Sequence, residues 1–211
     1  MFMPVLASCF LLVGAIAVFG KKGEKSMKDK LEKFQERERA ANEVRRQPLD
    51  DLDYLTIPDE FLSFPSDEAS HDATEGRRLL ESLRSEKIVN LTGLSNTDLK
   101  ERYGVANLPD LMRFDQNYTS LVRALQMYAA YLSEAGHEDQ AVKLLEYAVE
   151  SRSDVSASYR LLGELYVKKG RSTELDRLIQ KASELNSPMT SSIIRSLENM
   201  KDPSLRSTQA T

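Results

Sequence analysis

Two histidines, His71 and His137, and one cysteine, Cys9, are the only imidazoles and the only thiol in this 211-residue chain. A Cys/His zinc site wants several such ligands at close spacing, and these three stand far apart. A Cys–His nucleophilic pair is allowed by count, but Cys9 lies in an apolar leader, far in sequence from either histidine. A single cysteine also excludes an intrachain disulfide. The paired carboxylates Glu138 and Asp139 come after His137 in a turn and read as helix-start charges. "GRST" at Gly170 lacks the strand and the preceding glycine of a phosphate loop. Asn90-Leu91-Thr92 and Asn117-Tyr118-Thr119 match the glycosylation sequon. The net charge of −4 is far from the basic surplus that nucleic acid demands. The expectation is a protein that is not an enzyme, with no metal, no cofactor and no nucleic-acid partner. Its chemistry would be recognition, and the elements that carry recognition must be sought along the chain.

From Met1 to Gly20 no side chain is charged. About 20 apolar residues in a helix span the hydrocarbon core of a bilayer. A cleaved signal peptide wants a basic start and a small-x-small site, which Met1-Phe2-Met3-Pro4 and Val18-Phe19-Gly20 do not supply. Leu6-Ala7-Ser8-Cys9 resembles a lipobox, yet most of the apolar run comes after Cys9. Residues 1–20 are therefore expected to be an uncleaved transmembrane anchor. Lys21, Lys22, Lys25, Lys28, Lys30 and Lys33 all stand after it and no cation precedes it. Cations flanking a span stay on the cytoplasmic side. The expectation is a single-pass protein, N-terminus outside, with its C-terminal domain in the cytoplasm under a bacterial plasma membrane.

Residues 21–48 form a charged stalk, rich in helix formers, with Glu24 to Lys28 and Asp29 to Lys33 at helical spacing and Pro48 as its end. Met27, Leu31, Phe34 and Ala41 stand at a/d-like spacing, interrupted by Glu38 and Arg45. A solvated single helix, a short coiled coil that makes a homodimer, and contact of the basic residues with anionic lipid are all open. Residues 49–75 are an acidic linker without Lys or Arg, broken by Pro58 and Pro65. Leu52, Tyr54, Leu55, Ile57, Phe61, Leu62 and Phe64 make it too apolar for a pure spacer. It could stay loose, pack back on its own domain, or dock elsewhere.

From Gly76 onward the periodicity is helical, and the fold class expected is all-α. Leu79, Leu80, Leu83 and Ile88 mark one helix. A short second helix starts at Ser95 or Thr97 and stops at Gly104. A third begins near Leu108 with Leu111, Phe114, Tyr118, Leu121, Val122 and Leu125 as its stripe. Residues 76–121 are expected to be a helical cap or degenerate repeat. Beyond them the chain repeats itself. Gly136 and Gly170 lie 34 residues apart, and at that offset Leu132 meets Tyr166, Leu144 meets Leu178, Leu145 meets Ile179 and Ala148 meets Ala182. Small positions at 129/163 and 148/182 would let helices approach.

These residues resemble the tetratricopeptide repeat family. The second unit, residues 156–189, carries Tyr159, Leu162, Gly163 and Tyr166 at the signature positions of the first helix, Gly170 at its end, Ala182 at the small position of the second, and Pro188 near the closing proline. The first unit, residues 122–155, is looser, with Ala129 for the glycine, Leu125 for the early aromatic and Ser153 for the proline. Residues 190–201 read as a capping helix and 202–211 as a disordered tail.

The resemblance implies a concave groove lined by the first helix of each unit. Its candidate partner-binding residues are Arg123, Gln126, Ala130, Ser133 and Glu134 in the first unit, and Arg160, Glu164, Val167 and Lys168 in the second. Arg123, Arg160 and Lys168 would make it partly basic and suited to an acidic segment, the chain's own linker included. The carboxylate clamp used by some family members for chaperone tails wants a basic residue and an asparagine where Gln126 and Ala130 stand. The function implied is that of a membrane-anchored scaffold or adaptor that binds a protein or peptide. The alternative is an obligate accessory subunit of a membrane enzyme or secretion complex, with Gly14, Ala15 and Ala17 offering a weak helix contact.

Overall fold

The computed structural model describes residues 27–66 and 70–201. The expected anchor at 1–20 and the tail at 202–211 lie outside the described residues. Among the described residues eight α-helices run in order: α1 (27–43), α2 (His71–Leu83), α3 (Asn96–Tyr103), α4 (Leu108–Glu134), α5 (Glu138–Glu150), α6 (Ser156–Lys168), α7 (Ser172–Ser183) and α8 (Thr190–Lys201). Two 3₁₀ turns, Asp59–Ser63 and Val105–Asn107, complete the described elements. Among the described residues, β-type pairing is limited to one antiparallel bridge between Tyr54 and Val89. No helix among them is long and apolar enough to cross a membrane. The fold is all-α, in two units.

The first unit comprises α1, residues 44–48, α3 and the Val105–Asn107 turn. The stalk helix stops at 43, ahead of Pro48, because the chain beyond it is recruited by α3. Gln47 N–H donates to the Tyr103 carbonyl at 3.0 Å. Buried Asn107 donates to the carbonyls of Gln47 (2.7 Å) and Tyr103 (2.8 Å) and accepts from Arg46 Nε at 2.8 Å. Gly104, with φ +82, leaves room for this: a Cβ there would lie 2.5 Å from the Arg45 carbonyl oxygen. α3 opens with a capping box, Ser95 and Asp98 bonding reciprocally. Arg37 of α1 grips it through Glu101 (2.7 and 2.6 Å) and Asp98 (2.6 Å), and Glu38 takes Lys100 at 2.8 Å and Thr97. Ala41 is buried on the same face.

The second unit runs from Leu49 to Leu94 and from Pro109 through α8. The boundary expected at 121/122 falls inside α4, which continues unbroken for 27 residues. α2 starts at His71, inside the expected linker, and ends at Leu83, so buried Ile88 lies beyond it. Gly76 lets α2 press on α4, where its missing Cβ would lie 3.0 Å from Tyr128 Cβ.

The acidic segment folds onto this unit. Ile57, Phe61 and Phe64 are buried in its core. Phe61 meets the Tyr147 ring edge-on at 5.3 Å, Tyr147 donates to the Thr56 carbonyl at 2.9 Å, and Tyr128 donates to the Phe64 carbonyl at 2.8 Å. Lys143 pairs with Glu60 at 2.7 Å and Arg84 with Asp59 at 2.8 Å. Pro65 keeps the stretch after Pro58 short, and Phe61 is delivered by the 3₁₀ turn Asp59–Ser63 with Phe64 directly after it.

The 34-residue offset is visible in the geometry. α7 starts 34 residues after α5 (172 against 138), and α8 starts 34 after α6 (190 against 156). Gly136 and Gly170 both have positive φ, +84 and +66. After each glycine the next N–H reaches back to the same place: His137 to the Leu132 carbonyl at 2.7 Å and Arg171 to the Tyr166 carbonyl at 2.8 Å. Ser153 accepts from Val155 N–H at 3.2 Å, and Ser187 from Met189 N–H at 3.1 Å. Two serines thus build the same turn one period apart. α8 sits as a third first helix, its buried Ile193 one period after Tyr159. It closes over Gly163, whose absent Cβ would lie 2.8 Å from Leu197 Cδ2.

Candidate protein-interaction site

α4 and α6 run up to the two glycine turns that recur at the 34-residue offset, Gly136 and Gly170, and a buried hydrogen bond joins them. Their link is the Ser158 hydroxyl, fully buried, which donates to Gln126 Oε1 at 2.8 Å. Gln126, a candidate recognition residue, is thereby spent on joining helices. Arg123, Glu134, Arg160 and Glu164 are exposed, while Ala130 and Ser133 are half-buried. Val167 is 49% exposed, an apolar side chain among charges.

Lys168 has a partner the sequence did not suggest. It pairs with Glu138 in the first turn of α5. Lys169 joins the same cluster, 3.4 Å from Glu138 and 2.8 Å from Asp139. The lysines hold both carboxyls below their usual range: Lys168 and then Lys169 for Glu138, Lys169 for Asp139. The positive end of α5 favours the same charges. The basic character expected of the surface therefore reduces to Arg123 and Arg160, for which no ion pair occurs among the described residues. The chain's own acidic segment contacts Arg84 at the end of α2, Tyr128 of α4, and Lys143 and Tyr147 of α5, and it pairs with Ile88 and Val89 beyond α2.

Sequence reasoning missed one concavity altogether. A cleft of about 270 Å³ opens where α5, α6 and α7 meet, with Leu162, Tyr166 and Leu178 among its lining and Arg171, Arg177 and Lys181 as its cations. Tyr166 donates to Glu146 Oε1 at 2.7 Å while the Arg171 guanidinium lies 4.8 Å from its ring centre. Burial, and then the Glu146 carboxylate, push the Tyr166 hydroxyl upward. These cations cluster in and just before one helix, but the cleft needs a neighbour one period earlier, which no local spacing reveals.

The residues that could carry other chemistry are dispersed. His71 is exposed beside Asp72 at 3.5 Å, and His137 precedes α5 without a side-chain capping bond. Among the described residues no three His, Cys, Asp or Glu side chains gather as metal ligands. Both sequon asparagines hold the fold: Asn90 donates to the Ser151 carbonyl at 3.0 Å and Asn117 to the Lys87 carbonyl at 2.9 Å. Compared with known proteins, the chain matches no family model, no curated protein and no solved structure.

Proposed function

We propose that this chain is a membrane-anchored, tetratricopeptide-like interaction protein whose α4/α6 surface binds a protein or peptide on the cytoplasmic side. The observation that carries the reading is the 34-residue recurrence of helix starts, glycine turns and serine turns, with α4 and α6 joined through Gln126 and Ser158 and, among the described residues, no ion pair at Arg123 or Arg160. Stacked hairpins of this kind present continuous surfaces and bind through them. Exposed Arg123 and Arg160, with exposed Val167 further along α6, suit a short segment that carries acidic residues and an apolar anchor. The membrane anchor is read from the uncharged residues 1–20 and the lysines after them. It would concentrate the surface among membrane components.

The test is site-specific photo-crosslinking in membranes. A crosslinker at Val167 is expected to capture a discrete protein, and one at Arg177 on α7 is not. Arg123→Glu with Arg160→Glu should abolish the adduct without unfolding the chain. Equal capture from both positions, or capture indifferent to the charge reversals, rejects the surface. One stoichiometric membrane partner would favour an obligate subunit over an adaptor.

A further inference from the structure

Three apolar side chains of α1 stand exposed among the described residues: Met27, Leu31 and Phe34 are 68%, 54% and 55% exposed. At 3.6 residues per turn they fall within about 60° of one another and make one stripe. Lys28 and Lys30 border that stripe, one on each side, while Asp29, Glu32 and Glu36 project from the opposite face. Glu38 and Ala41 continue the same face, and there it is taken: Glu38 bonds Lys100 and Ala41 is buried. The uncovered part ends where α3 begins to pack.

Two occupants suit an apolar stripe on a helix. A second copy would need apolar a/d positions over three or four heptads. Here there are three, and the next position is Glu38, already bonded within its own chain. A lipid surface needs less length. It asks for apolar residues on one side, cations at the rim whose stems reach up to headgroups, and acids turned away. That is the arrangement of 27–36. The segment just before it is uncharged from 1 to 20 and then carries Lys21, Lys22 and Lys25.

We infer that the first turns of α1 lie in the bilayer interface, with Met27, Leu31 and Phe34 in the acyl region and Lys28 and Lys30 on anionic lipid headgroups. The inference rests on reading residues 1–20 as an anchor, which brings α1 to the surface. The stalk is then a second membrane contact rather than a spacer.

Full-length protein carrying Cys9→Ser is reconstituted in phosphatidylcholine vesicles, with and without phosphatidylglycerol. An environment-sensitive fluorophore is placed singly at Leu12→Cys, Leu31→Cys or Glu36→Cys, and brominated acyl chains serve as quencher. At 31 the emission should shift blue and be quenched several times more than at 36, and Lys28→Glu with Lys30→Glu should remove its dependence on phosphatidylglycerol. Equal, water-like emission at 31 and 36 with a quenched label at 12 overturns this inference and leaves the anchor standing. Water-like emission at 12 overturns the anchor, and water-like emission at 31 in the same vesicles overturns both. Pyrene excimer emission from position 31 overturns the inference in favour of a second copy.

Discussion

The Ser158 hydroxyl, wholly buried, has Gln126 as its acceptor, and this bond ties α6 to α4. The two ends of the bond are unequal. Gln126 is only half-buried and can turn to water, whereas Ser158 cannot. Removing the acceptor strands the hydroxyl, so Gln126→Ala should cost about 1–3 kcal/mol. Ser158→Ala should cost under about 1 kcal/mol, and the double variant should fall near Ser158→Ala. Urea unfolding of the set measures the asymmetry; equal costs would show that the bond does not bind the helices.

Gly76 and Gly163 both lie at helix contacts but should respond differently to alanine. Around Gly76 a new Cβ meets Tyr128 Cβ at 3.0 Å and two backbone atoms of α4 at 3.2 Å, none of which can swing aside. Gly76→Ala is expected to destabilise by about 1 kcal/mol or more despite its better helix propensity. Around Gly163 the obstacles are Leu197 Cδ2 and Met200 Sδ, the ends of flexible side chains. There the gain in propensity of about 1 kcal/mol should roughly cancel the repacking. Thermal unfolding of the two variants separates these outcomes.

Two buried tyrosines should diverge in the same way. Tyr128 donates to the Phe64 carbonyl at 2.8 Å, while the Tyr159 hydroxyl has no protein partner among the described residues. Burial pushes both hydroxyls up to about 12. Tyr128→Phe should lose about 1 kcal/mol, and Tyr159→Phe should be neutral or stabilising. A larger loss at 159 than at 128 in denaturant titrations would contradict the assignment.

The first unit should loosen in acid. Ser95 and Arg37 hold the Asp98 carboxyl well below its usual range, Arg37 does so for Glu101, and Lys100 with Thr97 for Glu38. Depressed carboxyls stabilise the fold above their unfolded values, near 4, and the contribution disappears as pH falls through the folded values. Docking of α1 on α3 should therefore be flat from neutral pH down to about 4 and weaken below it. The methyl resonances of Leu99, buried in α3, report this by NMR. Arg37→Gln should shallow the acid transition; an unchanged profile would remove Arg37 from the account.

Periodicity made the helices legible from Leu79 onward, since large residues recur at 3.6 spacing on faces that must be buried. The 34-residue offset was legible because glycine readily adopts the positive φ of the turns at 136 and 170. α8 was legible as a helix but not as a third first helix, because Ile193 and Leu197 replace Tyr159 and Gly163 and only their burial restores the match. The fate of the acidic segment was not legible: Phe61 and Phe64 show no period, and their partners Tyr147 and Tyr128 lie more than 60 residues away. Of the candidate site, exposure of Arg123, Arg160 and Val167 agrees with helix phase. The pairing of Lys168 and the use of Gln126 did not show in the sequence, since each depends on a neighbouring helix.

The bond from Tyr128 to the Phe64 carbonyl has a practical consequence for anyone dissecting this chain. A fragment cut to begin at Arg77, where the recognisable helices start, would lose Ile57, Phe61 and Phe64 from its core and leave α4 and α5 with a bare apolar wall. The smallest piece expected to stay soluble begins no later than Leu49, whose carbonyl still anchors Tyr54 at 2.9 Å.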